Sequence, residues 1–98
     1  MKKDKVLKIL KKEKFKLEND YSIKKLALFG SYATDKQTKS SDIDLAFEVK
    51  DGAQFGYFEK LKLEKFLKTL LKHDVDLVRL KYMDPIIKFQ VEKDLIYV

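Results

Sequence analysis

Cysteine is absent from this 98-residue sequence, which excludes disulfides and thiolate metal sites and favours an intracellular location. The lysine-rich residues 1–20 lack the apolar core of a secretory signal. No segment approaches the roughly 20 apolar residues that a membrane span requires. We therefore expect a cytoplasmic protein that does not engage a membrane.

Arginine is scarce, because Arg79 is the only arginine among 22 basic residues. The formal net charge is +6, but the lysines are spread along the predicted helices and interleaved with glutamates. This dispersed pattern is typical of a solvated surface, whereas a phosphate-reading surface usually carries arginine. We therefore do not expect nucleic acid as a partner, although the charge helps to attract an anionic nucleotide.

Hydrophobic periodicity predicts alternating helices and strands within a single domain, residues 1–98. The predicted helices cover residues 3–19, residues 57–72 and a segment that begins at Asp84-Pro85. The predicted strands cover residues 23–29, 42–49 and 73–80 and the DLIYV tail, with one helical turn after Gly30. This order predicts an α+β fold, an α/β sandwich in which helices pack on one face of a small mixed sheet.

Two carboxylates stand one residue apart at the head of the second predicted strand. Alternate residues of a strand share a face, so Asp42 and Asp44 project together, opposite the apolar residues of the segment. Carboxylates that close repel each other unless a cation lies between them, and oxygen-only ligands favour Mg²⁺ or Mn²⁺. Asp76 has the same phase on the third strand and can complete a cluster for two divalent ions; Asp74 is the rival third ligand.

Gly30 and Ser31 end the first predicted strand. Glycine lets backbone N–H groups approach a ligand closely, and a helical turn that begins there directs its positive end outward. The pair is therefore a candidate phosphate seat, with the Ser31 hydroxyl as an additional donor. A Gly-Ser turn or an Asp-x-Asp at a strand head is usually structural when it occurs alone. Together with a third in-phase aspartate, the two features indicate a site for nucleotide and metal.

The spacing of Gly30-Ser31, ten residues and Asp42-x-Asp44, with VDLV around Asp76, resembles the minimal nucleotidyltransferases (MNT) of the DNA polymerase β superfamily. The best match is to the antitoxins of HEPN/MNT toxin–antitoxin pairs, over nearly the whole chain. The resemblance implies a nucleotidyltransferase fold in which the three aspartates are catalytic and bind two Mg²⁺ ions. It implies that Gly30 and Ser31 hold the β and γ phosphates of ATP. The implied reaction transfers AMP from ATP to a tyrosine hydroxyl of a partner HEPN toxin, within a hetero-oligomer, and releases pyrophosphate.

The segment after Gly-Ser departs from the pattern of this group. Many members have arginine and glycine there, as in GSYARG, whereas this chain has GSYATD. Asp35 introduces a negative charge where a triphosphate favours a positive one, and Lys36 or Lys39 are candidates to compensate. Two functions therefore remain open: an antitoxin that transfers AMP, and a catalytically weak or inactive antitoxin that neutralises its toxin by binding alone.

Other residues have ordinary structural interpretations. The single histidine, His73, is expected at the surface or at the C-terminus of a helix, and Glu48 is expected to be solvated or paired with a lysine. The aromatic residues Phe55, Tyr57 and Phe58 fit either the core or an adhesive surface for a partner or a nucleobase.

Overall fold

Five helices and four strands make up the computed structural model, which describes residues 1–98. The helices are α1 (Lys3–Lys12), α2 (Lys14–Asp20), α3 (Gly30–Ala33), α4 (Tyr57–Leu71) and α5 (Pro85–Glu92). The strands are β1 (Ile23–Phe29), β2 (Ile43–Val49), β3 (Val75–Arg79) and β4 (Ile96–Tyr97), and a 3₁₀ turn spans Leu80–Tyr82. None of the helices is both long enough and apolar enough to cross a membrane.

The four strands form one mixed sheet in the order β3-β2-β1-β4. Strand β1 is antiparallel to both β2 and β4, whereas β2 and β3 are parallel. The C-terminal end of β1 therefore meets the N-terminal ends of β2 and β3 at one end of the sheet. The predicted α+β fold with a small mixed sheet is confirmed, and all the candidate site residues lie at this end.

One face of the sheet packs against α1, α2 and α4 to form the core. Apolar residues on these elements are fully or almost fully buried, among them Leu10, Leu17, Leu28, Leu45, Phe47, Leu63 and Leu67. Burying each such side chain contributes about 1.5–3 kcal/mol. A one-residue register slip in β2 would expose its apolar residues and bury its carboxylates. The alternation in β2 therefore holds Asp44 on the face opposite the core.

The predicted helix over residues 3–19 is two helices. The chain leaves helical geometry at Glu13, where φ is −98° and ψ is 8°. Because Val6, Leu10 and Leu17 still face the core on either side of the break, the hydrophobic periodicity continues through it. A one-residue interruption of this kind leaves no signal in the apolar pattern.

Helix α5 begins as predicted but does not contribute to the core. The Asp84 carboxylate accepts hydrogen bonds from the backbone N–H groups of Ile86 and Ile87, and Pro85 occupies the first turn. No residue of α5 is buried, and Ile86 and Phe89 are 74% and 67% exposed. The packed helices are therefore those before β3, and α5 leaves its apolar side chains in solvent.

Candidate active site

Asp44 and Asp76 are direct neighbours across the parallel strands β2 and β3. Neighbouring strands lie about 4.8 Å apart, and in-register side chains project from the same face. The residues that follow them, Leu45 and Leu77, are buried in the core, so both carboxylates project from the opposite face. The fold thus brings together two of the three predicted aspartates.

Two further acidic residues, Asp42 and Asp74, lie just before the first residues of β2 and β3. Asp42 precedes β2 and is exposed, and Asp74 precedes β3. The Asp74 carbonyl accepts a hydrogen bond from the Ile43 N–H at 3.0 Å, which fastens the start of β3 to β2. Both carboxylate residues line a shallow cavity of about 500 Å³ together with Lys39, Ser40, Lys68, Lys72 and His73. Asp76, rather than Asp74, is therefore the neighbour of Asp44.

The three candidate aspartates have no cationic partner. The ion pairs of the structure involve Asp35, Glu48, Asp51 and Glu64, and none involves Asp42, Asp44 or Asp76. Partial burial, followed by the negative charges of Asp76 and then Asp42, raises the pKa of Asp44 above its ordinary value of 3.8. A cation bound beside Asp44 would relieve this electrostatic penalty.

The carboxylate oxygens of this site fit Mg²⁺ better than a metal whose ligands all come from protein side chains. No three acidic, histidine or cysteine side chains lie close enough together to hold an ion by themselves. Mg²⁺ does not need such a cage, because it usually binds one or two carboxylates and completes its octahedral shell with substrate phosphates and water. The Asp44–Asp76 pair, with Asp42 beside it, fits this mode. These residues would recruit the metal together with a nucleotide.

Gly30 lies directly against the Asp44 carboxylate. Its φ is +71°, a conformation that residues with a side chain rarely adopt. A Cβ placed there would overlap an Asp44 carboxylate oxygen and lie 2.9 Å from the Asp44 Cγ. Ser31 follows in the first turn of α3, whose N-terminus has no side-chain cap. The candidate phosphate seat and the candidate metal ligands therefore share one surface.

The departure at residues 34 and 35 has a structural explanation. Asp35 has φ +57°, the left-handed conformation that the glycine of GSYARG would adopt easily, and its carboxylate pairs with Lys3 Nζ at 3.5 Å. Thr34 occupies the arginine position, and its hydroxyl donates to the backbone carbonyl of Gly30 at 3.2 Å. Asp35 thus preserves the turn after α3, and the charge that this chain lacks is the one at Thr34.

A hydrogen bond that the sequence did not predict anchors α3, the helix that carries the candidate phosphate seat. The Tyr32 hydroxyl lies 3.2 Å from His73 Nε2, and His73 Nδ1 lies 3.0 Å from the Asp74 carbonyl oxygen. A carbonyl only accepts, so Nδ1 donates to Asp74, and Nε2 shares a hydrogen bond with the Tyr32 hydroxyl. The buried Tyr32 therefore ties α3 to the segment that leads into β3. Forty-one positions separate the two residues, so no local sequence signal reveals the contact.

Glu48 has an arginine partner rather than the expected lysine or solvent. Its carboxylate accepts from Arg79 Nε at 2.9 Å and from the backbone N–H groups of Lys81 and Val49. Burial by itself would raise the pKa of Glu48, but these hydrogen bonds and the Arg79 charge lower it below its ordinary value of 4.5. Glu48 therefore fixes the chain where β3 enters the 3₁₀ turn and belongs to the scaffold.

A family model described as "Polymerase beta, Nucleotidyltransferase" matches residues 5–98. The chain belongs to this nucleotidyltransferase family. The match covers every strand and every candidate site residue of the chain.

Individual relatives agree with this assignment. A Methanocaldococcus jannaschii protein, provisionally named a protein adenylyltransferase, is 42% identical over 91 residues, which are 92% of this chain and 91% of the relative. A crystal structure of a toxin–antitoxin with AMP-PNP superimposes with a TM-score of 0.70 and 28% identity, over 88% of this chain and 69% of the other. A tri-AMPylated Shewanella oneidensis HEPN toxin in complex with MNT antitoxin gives a TM-score of 0.60 and 25% identity, over 97% and 66% of the two chains. This nucleotidyltransferase thus resembles the MNT antitoxins of HEPN complexes.

Proposed function

We propose that the chain is a Mg²⁺-dependent protein adenylyltransferase that transfers AMP from ATP to a tyrosine hydroxyl of a HEPN toxin and thereby acts as its antitoxin. The observation that carries this proposal is the Asp44–Asp76 pair, which has no cationic partner and stands against the glycine turn at Gly30. Phosphoryl transfer needs such an arrangement, because it depends on positioned phosphates and on neutralisation of negative charge.

Each side chain has a defined role in this proposal. Asp42, Asp44 and Asp76 would hold two Mg²⁺ ions, which would supply positive charge to neutralise the phosphate oxygens. Gly30 and Ser31 hold the β and γ phosphates, so pyrophosphate leaves toward α3. The core-facing alternation of β2 and β3 keeps the carboxylates on one rigid face, which limits the reorganisation needed during transfer.

The partner is proposed from the relatives. The solved structures most like this chain include toxin–antitoxin complexes, one of which contains an AMPylated HEPN toxin. A hetero-oligomer with a HEPN toxin would present the acceptor tyrosine to Asp76 in the cytoplasm, where ATP is supplied.

Transfer of radiolabelled AMP to a co-expressed HEPN toxin tests the proposal. The Asp42→Asn/Asp44→Asn double variant should lose transfer without losing thermal stability, since neither side chain takes part in an ion pair. Asp51→Asn is the matched control, because Asp51 is exposed and lies away from the site. Full transfer by the double variant would refute the assigned roles of these aspartates.

A second candidate function is neutralisation by binding alone. It is favoured by Thr34, which stands where many MNT proteins have an arginine. Under this alternative the double variant protects cells from the toxin as well as the wild-type chain does. Under the leading proposal it binds the toxin but does not protect.

A further inference from the structure

A groove lies along the free edge of β3, and Asp76 is one of the residues that line it. Because β3 is an outer strand of the sheet, no strand covers this edge. The groove has a volume of about 530 Å³, and its walls come from the segment before α4, the first turn of α4 and the 3₁₀ turn. The lining residues that matter below are Phe55, Tyr57, Lys60, Asp76, Arg79 and Tyr82.

The position of the groove follows from the order of the strands. At the end of the sheet that carries the site, Gly30 follows β1, Asp44 lies on β2 and Asp76 lies on β3. An in-line displacement requires the attacking oxygen to approach opposite the leaving group. If pyrophosphate leaves toward Gly30, the attacking oxygen arrives from beyond Asp76, and the groove occupies that side.

The walls of the groove are suited to an aromatic side chain. The Arg79 guanidinium carbon lies 5.0 Å from the Tyr82 ring centroid and 5.7 Å from that of Phe55. Glu48 holds Arg79 in place through the 2.9 Å ion pair. Tyr57 and Tyr82 leave 73% and 72% of their surface in solvent, so each ring keeps exposed area that an incoming ring can cover.

The charges of the groove complement a phenol. A guanidinium is attracted to the face of an electron-rich ring. Lys60, on the α4 wall, supplies a further positive charge for an oxygen that becomes negative as it attacks. A serine or threonine side chain would leave the rings uncovered and most of this volume unfilled.

We propose that this groove is the acceptor site and that it binds the phenol side chain of a tyrosine. The assignment rests on the proposed function for its chemistry. The phenolic oxygen forms a bond to the α-phosphorus, and the bond from that phosphorus to the bridging oxygen breaks. Its electron pair leaves with pyrophosphate, and the phenolic proton passes to water. Tyr82 acts as a specificity determinant rather than as a catalytic residue.

Binding of a tyrosine mimic without ATP tests the groove independently of catalysis. Backbone amide chemical shifts would be followed by NMR during titration with N-acetyl-L-tyrosinamide, with N-acetyl-L-leucinamide as the non-aromatic control. We expect shifts at residues 55–57 and 76–82 for the tyrosine mimic alone. Tyr82→Ala should weaken binding about fivefold to tenfold through loss of ring contacts, and Tyr82→Phe should retain it. Phe15→Ala is the matched control, because Phe15 is 79% exposed on α2, outside the groove.

Two results would overturn the assignment. The first is equal titration of the wild-type and Tyr82→Ala proteins, or equal shifts with the leucine mimic. The second is a loss of Mg²⁺–AMP-PNP affinity in Tyr82→Ala that is as large as its loss of affinity for the tyrosine mimic. This result would assign the groove to the nucleobase instead. AMP transfer is measured separately on the wild-type chain. Binding in the groove without transfer would contradict the proposed function alone, and transfer without such binding would contradict the groove alone.

Discussion

Gly30 packs so closely against Asp44 that no side chain fits between the backbone of one and the carboxylate of the other. Ten residues separate the Gly-Ser pair from the first aspartate in sequence, yet the antiparallel pairing of Phe29 with Asp44 closes that gap. The two halves of the motif therefore act as one unit. A change at Gly30 should therefore alter the position of the Asp44 carboxylate, a candidate metal ligand.

Gly30→Ala should remove activity and destabilise the fold by more than its backbone conformation alone explains. Gly52→Ala provides the control, because Gly52 has φ +79° but no atom lies within 4 Å of its added Cβ. Strain of this kind costs on the order of 1–3 kcal/mol. Chemical denaturation should show the larger loss for Gly30→Ala, together with a weakened response to Mg²⁺–ATP. Equal losses for the two variants would show that the Asp44 contact is unimportant.

Asp44→Asn should stabilise the metal-free protein at neutral pH. The raised pKa of Asp44 means that the native state holds this proton more tightly than the unfolded state does. Stability therefore falls as pH rises from 3.8 through the raised pKa, and the penalty is fully present above it. Because solvent screens a carboxylate that is only partly buried, we expect a small rise in Tm. A thermal scan at pH 5–8 in EDTA measures it, and a drop in Tm would contradict the account.

Glu48→Gln should weaken the junction between β3 and the 3₁₀ turn. The Glu48 carboxylate accepts hydrogen bonds from Arg79 and Lys81, and both side chains of its ion pair are mostly buried. We expect a loss of about 1–3 kcal/mol in the free energy of unfolding. Because the pKa of Glu48 is lowered, its contribution is present above pH 4.5 and is lost as pH falls through the lowered pKa. Glu64→Gln, which removes the more exposed pair with Lys68, should cost under about 1 kcal/mol.

Thr34→Arg should tighten ATP binding by restoring the charge found in many MNT proteins. A cation near the γ-phosphate is expected to contribute about 1 kcal/mol, which corresponds to about fivefold in Kd. Asp35→Gly should leave the fold intact, since glycine accepts the left-handed conformation that Asp35 adopts. Calorimetric titration with Mg²⁺–AMP-PNP measures both variants. Unchanged affinity in Thr34→Arg would place the triphosphate away from α3.

Much of the fold follows from the sequence because the first two strands have clear apolar patterns. The apolar run of residues 23–29 and the alternation after Asp42 locate β1 and β2 within one residue. The same alternation places Asp44 and Asp76 on one face, and the register confirms their proximity. The metal and phosphate roles of these residues stay predictions, since they concern ligands rather than backbone.

Other features leave no local sequence signal because they depend on residues far away in the chain or on exposure to solvent. The Tyr32–His73 bond and the Glu48–Arg79 pair each join residues from different elements. The apolar residues of α5 match a core pattern, but their exposure depends on where the chain goes after β3. The sequence left open whether the aromatic segment belongs to the core or to the surface. In the structure Phe55 packs on the core, whereas Tyr57 and Phe58 are exposed.

The intact mass of the HEPN toxin after incubation with this chain, ATP and Mg²⁺ decides whether the chain adenylylates the toxin. We expect added mass in whole multiples of one adenylyl group, located on tyrosine by fragmentation. We also expect no added mass with the Asp42→Asn/Asp44→Asn variant or in EDTA. An unmodified toxin after incubation with the wild-type chain, in a complex that nevertheless neutralises it, would contradict the proposed function and establish an antitoxin that acts by binding alone.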